Sequence, residues 1–536
     1  MTDSTLTTRA LVLTAVIVFG AFAGTVVFAE TTAATPTTSA STAGDAPAAG
    51  DVAPASSPAR PTTGPGVSDR PSGLVQRDGD SEVNLSASST EVPQGGIATF
   101  TVQLNDSGSS ATVVIGNESD DGYQANVSVT DANDDGVVAF AFNTYAAGTT
   151  SADNVVQLVG DSGSDRITFD STESQTELAS LLDTGDYLVA VGTDDDPADV
   201  LETPAFIGTL FVTERAEPSQ ALWRTTRDTL SDVREAADNE SRSAVTTVGD
   251  AIVSERLTQT DTLAFTPNGS NSDVLVARLT VPGLSGVLGT VSGGEVTDEF
   301  SAIIQPDNAS DAPLRVVLEE QDPELNREPV TLDLGEALSA GTGIDDALTV
   351  IYVSGDTYYL FVDYDTVAAG VFDGSATAFE DGDEIAVNSS LQDARLLDVD
   401  TNETDVADVA SRYRTASANF TLETAEGGFD LNDDDLVTAT AGENATVAGT
   451  TNVAPGTELT VVVRSTGETQ SSFLESQTVT VNGDGTFAAT FDLSAQVPGD
   501  EFEARVTQAP FSTASDGVIV EANETEASAA GGSSVP

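Results

Sequence analysis

The chain has 536 residues, with 19 basic side chains against 87 acidic ones, a net charge of −68, and neither His nor Cys. Every basic residue is Arg. These absences exclude imidazole bases and ligands, thiolate nucleophiles, disulfides, zinc–thiolate and iron–sulfur sites, and lysine Schiff bases or P-loops, and a polyanion such as nucleic acid would be repelled.

Charge of this size destabilises a compact fold in dilute buffer. At molar salt the Debye length falls to about 3 Å and the acids no longer repel at range. The composition therefore reads as salt adaptation. Hydrophobic residues make up 39%, enough for cores.

Residues 1–30 contain the apolar run Ala10 to Ala29, with Arg9 before it and Glu30 after it. Twenty residues span roughly 30 Å of helix, one hydrocarbon core. The segment is read as a signal peptide or an uncleaved membrane anchor, and the flanking charge places the following residues outside the cell. Residues 31–80 are rich in Thr, Ala, Ser, Gly and Pro, and read as a disordered linker, either a plain spacer or an O-glycosylated stalk.

From residue 81 the apolar residues alternate. Runs such as Ile97–Leu104, Val137–Phe142 and Ile207–Val212 predict half-buried strands, and residues 81–215 an Ig-like β-sandwich. Leu182, Gly185, Tyr187 and Val189 have the spacing of a tyrosine corner. Residues 216–415 are expected to hold a helix plus a β-rich domain. Leu222, Trp223, Thr226, Leu230, Val233 and Ala237 fall at helical spacing, predicting one short amphipathic helix between Pro218 and Asn239. Its Arg residues either dock an acidic neighbour or pair within their own domain, the favoured reading. Gly355-Asp356 predicts a hairpin. Residues 416–510 predict a second Ig-like sandwich, with a hairpin turn at Asn482-Gly483-Asp484-Gly485, and residues 511–536 a disordered C-terminal tail. The fold class is thus mostly β, with several Ig-like sandwiches in tandem.

No catalytic residue stands out. Gly160-Asp161-Ser162-Gly163 matches the nucleophile segment of trypsin-like proteases, but no His base exists, so it reads as a turn. Acid pairs are uninformative among 87 acids. Asp131, Asn133 and Asp135 have the spacing of a calcium loop closed by Gly136; Phe142 stands where a bidentate Glu belongs. The alternatives are a weak Ca²⁺ site and a polar Asp-Gly hairpin, the latter favoured. Asn-x-Ser/Thr sequons begin at Asn84, Asn105, Asn117, Asn126, Asn239, Asn268, Asn308, Asn388, Asn402, Asn419, Asn444 and Asn523, which is 12 of 20 Asn. Chance predicts about four, so the excess in an exported chain points to N-glycosylation.

Ala454-Pro455-Gly456-Thr457-Glu458-Leu459-Thr460, Val463-Arg464-Ser465, Asp484-Gly485-Thr486-Phe487 and Phe491-Asp492 resemble the BGTF-type surface domain of haloarchaeal cell-surface glycoproteins. Asp135-Gly136-Val137, Phe142-Asn143-Thr144 and Ala147-Gly148 resemble their earlier domain, so the likeness spans about residues 80–508. The Thr-rich stretch, Pro-Gly-Phe tripeptide and membrane helix that often end such proteins are not found here, which favours residues 10–29 as the anchor. The resemblance implies a non-catalytic structural glycoprotein at the outer face of the membrane or in the S-layer of a salt-loving archaeon. Expected partners are other envelope proteins or itself, and the membrane through residues 10–29 if uncleaved. No cofactor is required, and weakly bound Ca²⁺ is the one candidate ion. The alternative is a surface adhesin or solute-binding protein that uses a domain cleft or edge strand.

Overall fold

A computed structural model describes residues 83–521, apart from 106–108, 150–153, 160–163, 239–243, 267–271, 292–294, 306–311, 324, 340–346, 373–377, 400–409 and 468–470. The apolar run 10–29, the linker 31–80 and the Gly160–Gly163 motif lie outside the described residues. Among the described residues, no helix is long and apolar enough to cross a membrane.

Among the described residues, six sheets pair into three sandwiches in chain order. In the first, a four-stranded sheet is built from Val83–Leu85, Ile97–Leu104, Val137–Asn143 and Val156–Leu158. It faces a six-stranded sheet ordered Ser89–Pro93, Phe206–Thr213, Gly185–Gly192, Ser110–Ile115, Ala125–Thr130 and Arg166–Thr168. Period-two burial drives the packing: Ala98, Phe100, Val102 and Leu104 point inward along one strand and meet Val113, Val127, Val189 and Leu210. The tyrosine corner is present. The Tyr187 ring is buried, and its hydroxyl donates to the Asp183 carbonyl at 2.8 Å.

The second sandwich pairs two five-stranded sheets. One is ordered Leu257–Gln259, Ser219–Thr225, Val274–Thr280, Thr357–Val362 and Leu348–Ser354. The other is ordered Thr262–Phe265, Arg414–Thr424, Glu384–Leu391, Leu314–Glu320 and Thr331–Asp333. Helices Arg227–Asp238 and Ala244–Val253 cover the outer face of the first sheet, so that sheet is buried on both sides. Leu275, Ala277 and Leu279 enter the inter-sheet core, while Val274 and Val276 meet Leu230, Val233 and Val248 of the helices.

The third sandwich sets Gly427–Phe429, Ala445–Thr451 and Thr486–Phe491 against a five-stranded sheet. That sheet is ordered Val437–Thr440, Thr513–Val520, Glu501–Thr507, Glu458–Thr466 and Leu474–Thr480.

All three sandwiches share one device. An early strand pairs in parallel with the last strand of its own sandwich: Ser89–Pro93 with Phe206–Thr213, Thr262–Phe265 with Arg414–Thr424, and Val437–Thr440 with Thr513–Val520.

Several expectations are corrected. Eight helices are described rather than one, and the helix expected from Pro218 begins at Arg227. Ser219–Thr225 is instead a central strand, in which Leu222 enters the inter-sheet core and Trp223 packs under the helices. The second sandwich runs past residue 415, because Arg414–Thr424 pairs with Glu384–Leu391. The expected tail does not start at 511, since Thr513–Val520 pairs on both sides in the third sandwich. Asn482–Gly485 does turn the chain, but the strands it joins lie in opposite sheets, not in one hairpin.

Candidate functional site

Among the described residues, buried and half-buried polar networks join one sandwich to the next. At the first joint, the Asn143 side chain donates to the Gly286 carbonyl at 2.8 Å and accepts from the Tyr145 and Ala146 amides at 3.0 and 3.2 Å. Arg395, carried by the second sandwich, donates to three carbonyls of the first: Tyr145 at 2.9 Å, Ala147 at 2.9 Å and Ser180 at 2.8 Å. Its guanidinium also lies 5.8 Å from the Tyr145 ring centroid, a cation–π contact. The Tyr145 hydroxyl donates to Asp393 at 3.0 Å. Burial raises the Asp393 carboxyl above its ordinary value, and burial likewise raises the Tyr145 phenol. Gly286 must be Gly: a Cβ there would stand 1.9 Å from the Gly95 carbonyl oxygen of the first sandwich. Leu181 of the first sandwich belongs to the core of the second.

At the second joint, Arg224 on the central strand Ser219–Thr225 donates to the Asn452 carbonyl at 2.5 Å and lies 3.5 Å from Asp273. Asp273 is buried. One carboxylate oxygen accepts from the Ala454 amide of the third sandwich at 2.8 Å, the other from Ala264 of the second at 3.2 Å. Burial pushes its pKa up to about 6, against the opposing pull of Arg224 and the two amides. Asn452 closes the joint from the other side, donating to the Thr424 carbonyl at 2.9 Å and accepting from Glu426 at 2.8 Å. Ala264 of the second sandwich lies in the core cluster of the third.

Some of the residues that carry the sequence resemblance sit at these joints, whereas Val463, Phe487 and Phe491 lie in the core of the third sandwich. Asn143 and Ala147 belong to the first, and Ala454 and Gly456 to the second; Gly456 adopts φ +87 and faces the Arg256 stem, whereas Gly148 packs on Leu178 within the first sandwich. Sequence reasoning singled out these motifs but not their partners Asp273, Asp393 and Arg395. Nothing local distinguishes two Asp among 87 acids.

The Asp131 loop is drawn together as a turn. Asp131 is fully buried and its two oxygens accept from the Asp134 amide at 2.8 Å and the Gly136 amide at 2.9 Å. Asn133 accepts from the Asp135 amide at 2.9 Å, and Asp135 from Val137 at 2.8 Å. Asp165 braces the loop by accepting from Ala132 and Asn133 at 3.0 and 3.3 Å. Each predicted ligand thus already accepts a backbone N–H. Among the described residues, no group of three or more acidic side chains is placed to hold a metal ion.

Seven of the twelve sequon asparagines are described, and none is buried: Asn84, Asn105, Asn117, Asn126, Asn388, Asn419 and Asn444. Asn388 and Asn419 lie on adjacent strands and face outward from one sheet. Asn388 accepts from the Ser417 hydroxyl at 2.6 Å, and Asn419 donates to Glu384 at 2.8 Å. Asn239, Asn268, Asn308, Asn402 and Asn523 lie outside the described residues.

A protein named "Cell surface glycoprotein" from Haloferax gibbonsii is 33% identical over 464 residues, covering 85% of this chain and 46% of its own length. This chain resembles haloarchaeal cell surface glycoproteins over most of its length. "Cell surface glycoprotein 2" of Haloarcula hispanica is 28% identical over 84% of the chain and 46% of its own length. The chain therefore spans about half the length of the curated relatives it matches. The family described as a domain of unknown function (DUF7827) matches residues 75–194, which take in the first sandwich except its last strand, Phe206–Thr213. Among solved structures, a tetra-tandem repeat from the extending region of a large adhesion protein covers 81% of this chain and 73% of its own at 13% identity. Its TM-score of 0.16 is too low to carry any argument. The β-sandwich assignment stands on the sheets themselves.

Proposed function

We propose that the protein is a non-catalytic structural glycoprotein of the cell surface of a salt-loving archaeon, in or attached to the S-layer, with residues 10–29 directing export or anchoring it. The carrying observation is the construction of the joints. Buried or half-buried charged groups hold backbone of the adjoining sandwich at both, and each joint shares a core residue with its neighbour. A chain of sandwiches fastened this way transmits load between its ends, the property a coat component needs. The names of the relatives and the accessible placement of the described sequons support the same reading.

The test is expression of a tagged full-length chain in a haloarchaeal host, followed by envelope isolation and intact-mass measurement. Recovery in the envelope fraction at a mass above that of the polypeptide supports the proposal. An unmodified protein recovered from the cytoplasm refutes it.

A further inference from the structure

The edges of the six sheets are unequal. Most described edge strands are short or covered: Val83–Leu85, Val156–Leu158, Arg166–Thr168, Leu257–Gln259, Thr331–Asp333 and Gly427–Phe429 have three residues each. The seven-residue edge Leu348–Ser354 is packed by helices Val296–Ile304 and Ala244–Val253. Short, covered edges are how folded proteins avoid strand-to-strand association. Leu474–Thr480 breaks that pattern. It runs seven residues, pairs on one side with Glu458–Thr466, and is exposed at every position but Val479. It contains no Pro, and its one charge, Glu475, matches the chain's average of about one net negative charge for every eight residues, so the edge carries no added charge to keep another strand away. Leu474 is 68% exposed. No sequon lies on this strand or on the neighbouring strands Glu458–Thr466 and Glu501–Thr507, so these strands carry no N-glycan to block the edge.

We propose that Leu474–Thr480 is a self-docking edge that pairs antiparallel with the same strand of a second copy of this chain. Opposed residues of an antiparallel pair share a sheet face, and faces alternate along the strand. A twofold axis normal to the sheet must therefore pass midway between two opposed copies of one residue, and full overlap makes that residue Gln477. That register sets Leu474 opposite Thr480, Glu475 opposite Val479 and Ser476 opposite Thr478. The two Glu475 carboxylates then lie about 14 Å apart along the strands, several Debye lengths at molar salt. Charge thus permits this edge to meet itself under the conditions that −68 demands. The five-stranded sheet of the third sandwich would continue into its partner as one ten-stranded sheet, an isologous contact of the kind that closes as a dimer. The pairing deepens the coat reading by supplying a copy-to-copy contact, but it is measured on purified protein, whereas the coat reading stands or falls on cell fractionation.

The test uses the full chain in molar NaCl. It has no Cys, so Gln477→Cys introduces a single thiol on the proposed axis. Opposed Cβ atoms in an antiparallel pair lie at about 4.5–5.5 Å, a small adjustment from disulfide geometry. Oxidation is expected to yield about tenfold more disulfide dimer than Thr438→Cys, an exposed position on the opposite edge of the same sheet. Successive N–H groups of a strand point to opposite edges, so of Ser476→Pro and Gln477→Pro one removes an outward donor and the other an inward one. The variant that keeps its melting temperature should lose dimer in sedimentation velocity. Equal cross-linking of Gln477→Cys and Thr438→Cys overturns the proposal, as does wild-type association in both proline variants.

Discussion

Replacing Asp273 by Ala should release the third sandwich from the second. In the native joint, Asp273 is buried and accepts from Ala454 at 2.8 Å, from Ala264 at 3.2 Å and from Arg224 at 3.5 Å. Truncation leaves the Arg224 guanidinium facing an empty site with only the Asn452 carbonyl as partner, and strands two amides. Breaking a buried pair by removing one member costs about 3–5 kcal/mol. The ionised carboxylate also carries a burial penalty. Its rise from 3.8 to about 6 corresponds to about 3 kcal/mol against the neutral form. Relief of that penalty offsets much of the loss, so a net cost of about 1 kcal/mol above pH 7 is expected. The assay is urea unfolding at molar salt. Trp223, the only Trp, reports on the second sandwich next to the joint, and circular dichroism reports on all three. The wild type should unfold with coincident transitions, whereas Asp273→Ala should show a dichroism phase that precedes the fluorescence change. Coincident transitions with a shift below about 0.5 kcal/mol, the size of an ordinary surface substitution, would refute the reasoning.

The second sandwich should gain stability on mild acidification. Glu299 is buried with one oxygen unpartnered, and burial pushes its pKa up to about 7. The native state then holds this proton to higher pH than the unfolded chain. Its contribution is full below about pH 4.5 and is lost as pH rises through about 7; Asp273 acts in the same sense up to about 6. Melting temperature should therefore fall from pH 5 to pH 8, and Glu299→Gln should flatten the profile; an unchanged slope in that variant would sink the assignment. Dilution from molar to about 0.1 M salt lengthens the Debye length to about 10 Å and should unfold the protein cooperatively by circular dichroism. Asp131→Ala should cost about 2–4 kcal/mol by stranding the Asp134 and Gly136 amides. Chelator should leave that loss unchanged in calorimetry, whereas a melting point that tracks Ca²⁺ would restore the cation reading.

What the sequence reveals depends on how many faces an element buries. Strands with one wet face, such as Ile97–Leu104, announce themselves by alternation. Ser219–Thr225 does not, because its sheet is buried by the opposing sheet on one side and by helices on the other; Leu222, Trp223 and Thr226 then mimic a helical stripe. Tyr187 was legible because its partner lies four residues away. Asp273 and Arg395 were not, because Ala454 and Tyr145 lie 181 and 250 residues distant. Thr513–Val520 hid for another reason. Only Gly517 and Ile519 along it are buried, and its pairing with Val437–Thr440 and Glu501–Thr507 makes it a strand.

That last pairing has a mechanical side. In each sandwich an early strand lies parallel to the final one, so tension that reaches the pair pulls the partners lengthwise in opposite directions; in the second sandwich it reaches Thr262–Phe265 only after Ser219–Thr225 and Leu257–Gln259 come away. The load falls in shear on all their hydrogen bonds together, whereas a pulled hairpin opens one bond at a time like a zipper. Five residues share it in the first sandwich and four in each of the others. Under stretch, such as turgor imposes on an envelope, each sandwich should hold as a clasp until that short ladder ruptures as a unit, and only then give up its length.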